Sequence, residues 1–136
     1  INNNPLIAKK VGADGCHLGQ SDISINEARK IIKNKIIGLT CHNSLNKAKA
    51  AIANGADYIA IGAFNKSGTK KTKYKASIKD LKKFRTITNK PIIAIGGINQ
   101  YNYKNLLLNK ADFLAISGFI WKNKKLKPMQ AIEKLK

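Results

Sequence analysis

The sequence is poor in acid, arginine, cysteine and long apolar runs, and each shortage excludes something. Two cysteines cannot staple a small secreted scaffold, and no signal-peptide pattern is visible, so a reducing cytoplasm is the expected compartment. The longest apolar runs, such as Pro91-Ile92-Ile93-Ala94-Ile95, fall far short of the ~20 residues that span a bilayer. Seven Asp and Glu stand against 26 Lys and Arg, a formal charge of +19 over 136 residues. That charge invites a nucleic-acid partner. Yet only Arg29 and Arg85 are arginine, the residue whose planar fork reads bases and clamps phosphates. The remaining 24 basic residues are lysines spread along the whole chain, as expected of solvated helix faces. No nucleic acid and no membrane are expected as partners, and nothing in the sequence speaks to oligomeric state.

What is present is a globular composition, 43% hydrophobic, of a length suited to one domain. Short, nearly continuous apolar runs recur at Cys16-His17-Leu18, Ile36-Ile37-Gly38-Leu39, Tyr58-Ile59-Ala60-Ile61, Ile92-Ile93-Ala94-Ile95 and Phe113-Leu114-Ala115-Ile116. Strands covered on both faces read this way. Helical spacing fills the gaps at residues 25–33, 44–54, 77–86, 100–109 and 129–135, with Ser44 or Asn43, and Asn99, as N-caps. The alternation predicts a parallel α/β fold with right-handed connections. Gly-Ala-Asp recurs before the first strand (residues 12–14) and the third (55–57), and Ala111-Asp112 precedes the fifth. Equal βα modules point to a (β/α)8 barrel, of which five units are present; the other three strands are expected before Ile1, so residues 1–136 read as the C-terminal part of one barrel domain. A complete five-stranded open sheet is the alternative.

In either fold, ligands bind at the C-terminal ends of the strands. The unusual polar residues gather there: His17 to Asp22, Thr40 to Asn43, Gly62 to Lys71, Gly96 to Asn99, and Ser117-Gly118. Gly96-Gly97 reads as a helix-entry turn that offers backbone amides to an anion, or as a simple tight turn, and Ser117-Gly118, opening the last helical region, offers amides in the same way. Ser67-Gly68-Thr69-Lys70 offers hydroxyls, backbone and ammonium groups suited to a phosphate or diphosphate, or is a solvated basic loop. Beside such groups Asp22 is a natural Mg²⁺ ligand, and it also fits as the N-cap of the helix at Ile25. His17 and His42 could act as general acids or bases, but hydrogen-bonded core histidines are the favoured reading. Cys16 reads as packing, and Cys41 as a strand-end thiol that could be exposed, with no base partner that would make it a nucleophile.

These segments resemble the thiamine phosphate synthase family. Gly12 to Asp22 (GADGCHLGQSD) resembles its GADGVHLGQxD segment, and Ile37 to Asn43 its IGVSTHN. Gly62 to Lys70 aligns without gaps with GPxFPTxTK, Ala94 to Ile98 is AIGGI, and Ala111 to Ile120 aligns with ADGVAVxSAI. The resemblance implies a (β/α)8 barrel and a transferase. Such an enzyme joins hydroxymethylpyrimidine diphosphate to a thiazole phosphate, giving thiamine phosphate and diphosphate with Mg²⁺ assistance. It places Asn2 at the pyrimidine, and Thr40 and Lys70 at the diphosphate as the catalytic pair. Asp22 falls on a metal aspartate, and Ser67, Gly68, Thr69, Gly97, Ser117 and Gly118 on thiazole-phosphate contacts. The departures are equally specific. A second metal aspartate aligns with Asn3, which carries no charge; Asn65-Lys66-Ser67 stands for Phe-Pro-Thr; Gly118 stands for a serine. The family's Gln-x-Arg-x-Lys diphosphate segment belongs upstream of Ile1. A thiazole tautomerase of the same fold is the alternative activity, favoured by Asn3.

Overall fold

The computed structural model describes residues 1–66 and 73–136. Among the described residues five strands form one parallel sheet: β1 (Gly15–Leu18), β2 (Ile36–His42), β3 (Tyr58–Gly62), β4 (Ile92–Ile95) and β5 (Phe113–Ala115). Their order in space is their order in sequence, and every pairing is parallel. A doubly wound sheet would reverse its order at a switch point. The open-sheet alternative is therefore set aside, and five consecutive units of a (β/α)8 barrel remain.

The helices are α1 (Pro5–Lys10), α2 (Ile25–Ile32), α3 (Leu45–Ala53), α4 (Ile78–Arg85), α5 (Tyr103–Leu108), α6 (Gly118–Trp121) and α7 (Pro128–Glu133). Local chemistry starts them. Ser24 with Glu27, and Ser77 with Asp80, form reciprocal capping boxes that satisfy the free amides of the first turns of α2 and α4. Ser44, rather than Asn43, caps α3. One helix is added to the sequence expectations and two expectations are corrected. α1 escapes a periodicity search because it is one short turn-and-a-half, yet Asn4 caps it and Pro5 opens it. Asn99 does not cap a helix at Gln100: its amide donates to Asn102 Oδ1 and its own Oδ1 accepts from Tyr101 N, so these residues make a turn and α5 begins only at Tyr103. Asp22 is not the cap of α2, since Ser24 holds that place.

Alternation along the strands divides the sheet's two faces. Leu18, Ile37, Cys41, Ile59, Ile61 and Ile92 point toward the helices and are almost fully buried, packed with Leu81 and Phe84 of α4. Each such side chain contributes roughly 1.5–3 kcal/mol over exposure. Cys41 belongs to this layer, inside β2 and 0% exposed, which corrects the expectation of an exposed thiol. The opposite face carries His17, Gly38 and Tyr58 in register, with Thr40 two residues along β2 and paired with Ala60; Ile36, Ile95 and Phe113 on it are exposed in this chain.

The repeated aspartates have a structural task at the N-terminal ends of the strands. Asp57 Oδ2 accepts from Ile37 N and from Arg29 Nη2, both at 2.8 Å. Asp112 Oδ2 likewise accepts from Ile92 N at 2.7 Å and from Arg85 Nη2. Each arginine also donates to carbonyls just past the end of its own helix, Arg29 to Lys33 and Lys35 and Arg85 to Thr88 and Lys90, and to one just past the next helix, Gly55 and Lys110 respectively. Both arginines of the chain are thus tied into these clamps, which lie two βα units apart. Burial alone would raise the Asp57 carboxyl, but the Arg29 hydrogen bond, the Ile37 amide and the nearby cations outweigh it and hold it below its ordinary range.

Candidate active site at the strand ends

Residues 1–3 run beside β1 as a neighbouring strand would. His17 N donates to Ile1 O at 2.9 Å, Asn3 N donates to His17 O at 2.8 Å, and Asn2 is registered with His17 in a parallel bridge. Asn2 therefore shares the face of His17, and the two line a cleft of about 280 Å³ together with Ile36 and Tyr58. One residue further, the chain turns at Asn3 with φ of +67°, a conformation that asparagine tolerates better than most residues.

That turn brings Asn3 to the exit of β1. Asp22 Oδ2 accepts from Asn3 Nδ2 and from Gly19 N, each at 2.6 Å. The two positions expected to share a metal are thus in direct contact, though 19 residues apart in sequence. Among the described residues no group of three or more His, Cys, Asp and Glu could hold a metal ion. The protein's groups here are one carboxylate and one amide, whose nitrogen faces the carboxylate. With the amide turned to present its oxygen, the pair would fit Mg²⁺, which keeps waters and commonly takes substrate phosphate oxygens as its remaining ligands. The pair does not suit a closed, all-protein cage.

Gln20 joins this corner to β2 by donating from Nε2 to Thr40 O at 2.6 Å. The Thr40 hydroxyl lies 2.8 Å from His17 Nε2, and His17 Nδ1 lies 2.9 Å from the Tyr58 hydroxyl. The Tyr58 ring reaches His17 by crossing Gly38, where any Cβ would overlap it. Burial pushes the His17 pKa below its ordinary value, against the opposing pull of Asp22, so the imidazole is neutral near pH 7. Burial also raises the Tyr58 phenol, which stays protonated. The favoured reading of His17 as a hydrogen-bonded histidine holds. In the sequence Gln20 stands only as part of the strand-end segment His17 to Asp22 and Tyr58 only as a strand residue, with no site role for either. The available signal was a glycine at position 38 on an otherwise bulky strand, which marks the close approach of a large neighbour.

Of the two readings open for the glycines after β4, the structure gives the tight turn. Gly97 does not open a helix, because α5 starts at Tyr103. Gly96 and Gly97 have φ of +103° and +59° and lie against the chain leaving β3. A Cβ on Gly96 would strike Ala63, and one on Gly97 would sit 2.5 Å from Lys66 O and 2.8 Å from Asn65 atoms. Asn65 N donates to Gly96 O at 3.0 Å. The pair is thus a close-approach turn that fixes the exit of β3. Ser117 and Gly118 follow β5, with Ser117 exposed at the N-cap position of α6 and Gly118 its first residue. Ser67, Gly68, Thr69 and Lys70 lie outside the described residues. The chain flanking them is anchored: Ala76 N donates to Ala63 O at 2.8 Å, Asn43 Nδ2 to Lys75 O at 3.0 Å, and the Tyr74 and His42 rings stack at 3.9 Å.

A sequential parallel sheet with polar and glycine-rich residues collected at the strand C-termini defines part of a (β/α) barrel, the fold class whose ligands bind at those ends. Comparison with known proteins gives the family. The family model for thiamine monophosphate synthase matches residues 1–120. A thiamine-phosphate synthase of Pelagibacter ubique (strain HTCC1062) is 65% identical over 136 residues, all of this chain and 66% of the relative. That of Nitrosospira multiformis is 45% identical over 122 residues, 89% of this chain and 52% of the relative. A solved thiamine phosphate pyrophosphorylase from Pyrococcus furiosus superposes with a TM-score of 0.88 at 30% identity, covering 98% of this chain and 63% of that one. The chain belongs to the thiamine monophosphate synthase family. It spans about half to two-thirds of the length of these relatives. No helix among the described residues is long and apolar enough to cross a membrane.

Proposed function

We propose that the gene product carrying this chain is a thiamine-phosphate synthase, acting on two small phosphorylated substrates. The bond between the pyrimidine methylene carbon and the diphosphate oxygen breaks, and the thiazole nitrogen bonds to that carbon. Diphosphate leaves with the electron pair. Negative charge grows on the departing oxygens, so fixed donors and cations at that point lower the barrier. In this reading Asn2 contacts the pyrimidine, while Thr40 and Lys70 bind the diphosphate. Gly97, Ser117, Gly118 and residues 67–69 receive the thiazole phosphate. Asp22 and the Asn3 amide oxygen would hold Mg²⁺, which supplies charge neutralisation to the diphosphate. Asn3 must then turn its amide so that oxygen faces the cation. These phosphorylated substrates suit a cytoplasmic setting.

The observation that carries the reading is the meeting of Asn3, Asp22, Gln20 and Thr40 at one strand-end corner, in a chain so similar to named thiamine-phosphate synthases. The test is an assay of the full gene product with hydroxymethylpyrimidine diphosphate, thiazole phosphate and Mg²⁺. Thiamine phosphate should form with one diphosphate per turnover, and chelation should stop it. The neutral Asn3 supports a second reading, a thiazole tautomerase, which needs no diphosphate site. Thiazole isomerisation without thiamine phosphate would select that activity and overturn the first.

A further inference from the structure

The Tyr58–His17–Thr40 chain has a direction that follows from its chemistry. Hydrogen-bonded through both ring nitrogens to hydroxyls and, among the described residues, to no carboxylate, the His17 imidazole offers one N–H and one acceptor nitrogen, so its two contacts cannot both be donated by the ring. Of the two hydroxyls, the phenol of Tyr58 is the more acidic and the better donor, and the aliphatic hydroxyl of Thr40 is the better acceptor. With Tyr58 donating to Nδ1, the ring proton must sit on Nε2 and point at Thr40. The Thr40 oxygen is then occupied as an acceptor and its own proton is free. Among the described residues no other group contacts that hydroxyl.

We propose that Tyr58 and His17 are positioning residues that fix the Thr40 hydroxyl as a hydrogen-bond donor toward a bound diphosphate. The opposite polarity would spend the Thr40 proton on His17 and turn lone pairs toward the anion, which repels. Gly38 is part of the device, since it alone lets the Tyr58 ring cross to His17. The inference rests on the proposed placing of diphosphate at Thr40, and goes beyond it by assigning Tyr58 and His17 a part in that contact.

The test uses the full gene product and reads the ring directly. Nitrogen-15 NMR of His17 should show the Nε2–H tautomer, and Tyr58→Phe should erase that preference. In turnover, Tyr58→Phe should lower kcat by about tenfold with the KM for thiazole phosphate unchanged, and Thr40→Ala by about a hundredfold. Added to Thr40→Ala, Tyr58→Phe should cost nothing further. His17→Gln, which keeps an N–H near Nε2, should retain more activity than His17→Asn, which keeps one near Nδ1. An Nδ1–H tautomer in the unaltered protein, or independent effects of Tyr58→Phe and Thr40→Ala, would overturn the proposal. Binding of inorganic diphosphate with Mg²⁺ is measured alongside. If the protein makes no thiamine phosphate, the functional reading fails; if it binds diphosphate as tightly with Thr40→Ala as without, the donor role fails on its own account.

Discussion

Arg29→Lys tests whether the repeated clamp holds the modules together. Arg29 makes four hydrogen bonds, to the carbonyls of Lys33, Lys35 and Gly55 and to Asp57. A lysine ammonium keeps the charge but not the planar fork, and can serve at most the carboxylate and one carbonyl well. Two carbonyl bonds are then lost, each contributing about 0.5–1.5 kcal/mol net. The ion pair itself adds little, because its side chains are 33% and 42% exposed and solvent screens them. The expected loss is about 2 kcal/mol, or roughly 4–8 °C in Tm for a domain of 150–250 residues. Urea unfolding of the full gene product with and without the change measures it. Asp57→Asn should couple to Arg29→Lys, so that the two together cost less than their sum. Acid gives an independent check. The Asp57 carboxyl sits below its ordinary range, so its contribution is complete above the unfolded pKa of about 3.9 and is lost as pH falls through the lower folded value. The stability gap between the native protein and Asp57→Asn should be flat from pH 7 to pH 5 and close only below about pH 4. A change of under 0.5 kcal/mol for Arg29→Lys, or strict additivity with Asp57→Asn, would refute the clamp.

The other predictions use different parts of the molecule. Gly97→Ala places a Cβ against Lys66 O at a positive φ, so it should destabilise by about 1–3 kcal/mol in thermal unfolding, whereas an alanine at Gly12, also at positive φ but with open space around it, should cost less. The Cys41 thiol is fully buried and pushed up to about 12 by desolvation, so it should resist thiol reagents at pH 8 and react only on unfolding. Asn3→Asp adds a carboxylate beside Asp22 and should lower the Mg²⁺ concentration giving half-maximal turnover by about tenfold; an unchanged titration would count against the site as drawn. Lys70→Ala should lower kcat by about a hundredfold if its ammonium neutralises the departing diphosphate.

The strands and the larger helices could be read from the sequence because both are governed by local rules. Apolar runs of four or five residues bounded by Gly-Ala-Asp or proline leave little choice but a covered strand, and Ser24-Glu27 and Ser77-Asp80 are start signals complete within four residues. The misplacements came where a local rule had two solutions. Asn99 and Asn102 both suit an N-cap, and the choice between them depends on the Asn102 side chain accepting from Asn99 N, a contact that closes only once the turn has formed. The Gly-Ala-Asp repeat was visible, but its purpose was not. Arg29 meets Asp57 across 28 positions, and Arg85 meets Asp112 across 27, so only the packing of one module on the next reveals the pairing.

The site shows the same division more sharply. Its candidate positions come from resemblance and from the rule that barrels bind at strand ends, neither of which says how the side chains act together. Asp22 alone admitted two roles, metal ligand or helix cap. The structure removes the second, and it does so through Ser24, a residue with no part in the chemistry. Freed from capping, the Asp22 carboxylate takes two short hydrogen bonds, from Gly19 and Asn3, and so stays fixed at the corner. An asparagine at position 3 therefore has a physical consequence beyond a missing charge. An aspartate there would face Asp22 as a like charge and need a cation between them to be stable, whereas the amide of Asn3 is a neutral donor that occupies the carboxylate unaided. The corner is thus self-satisfied without metal, and a cation must displace that hydrogen bond to bind. This predicts weaker Mg²⁺ binding than at a two-aspartate site, together with a protein whose thermal stability is unchanged by chelators. Asn3→Asp should reverse both properties at once, raising Mg²⁺ affinity while making the folded state more stable with the ion than without it.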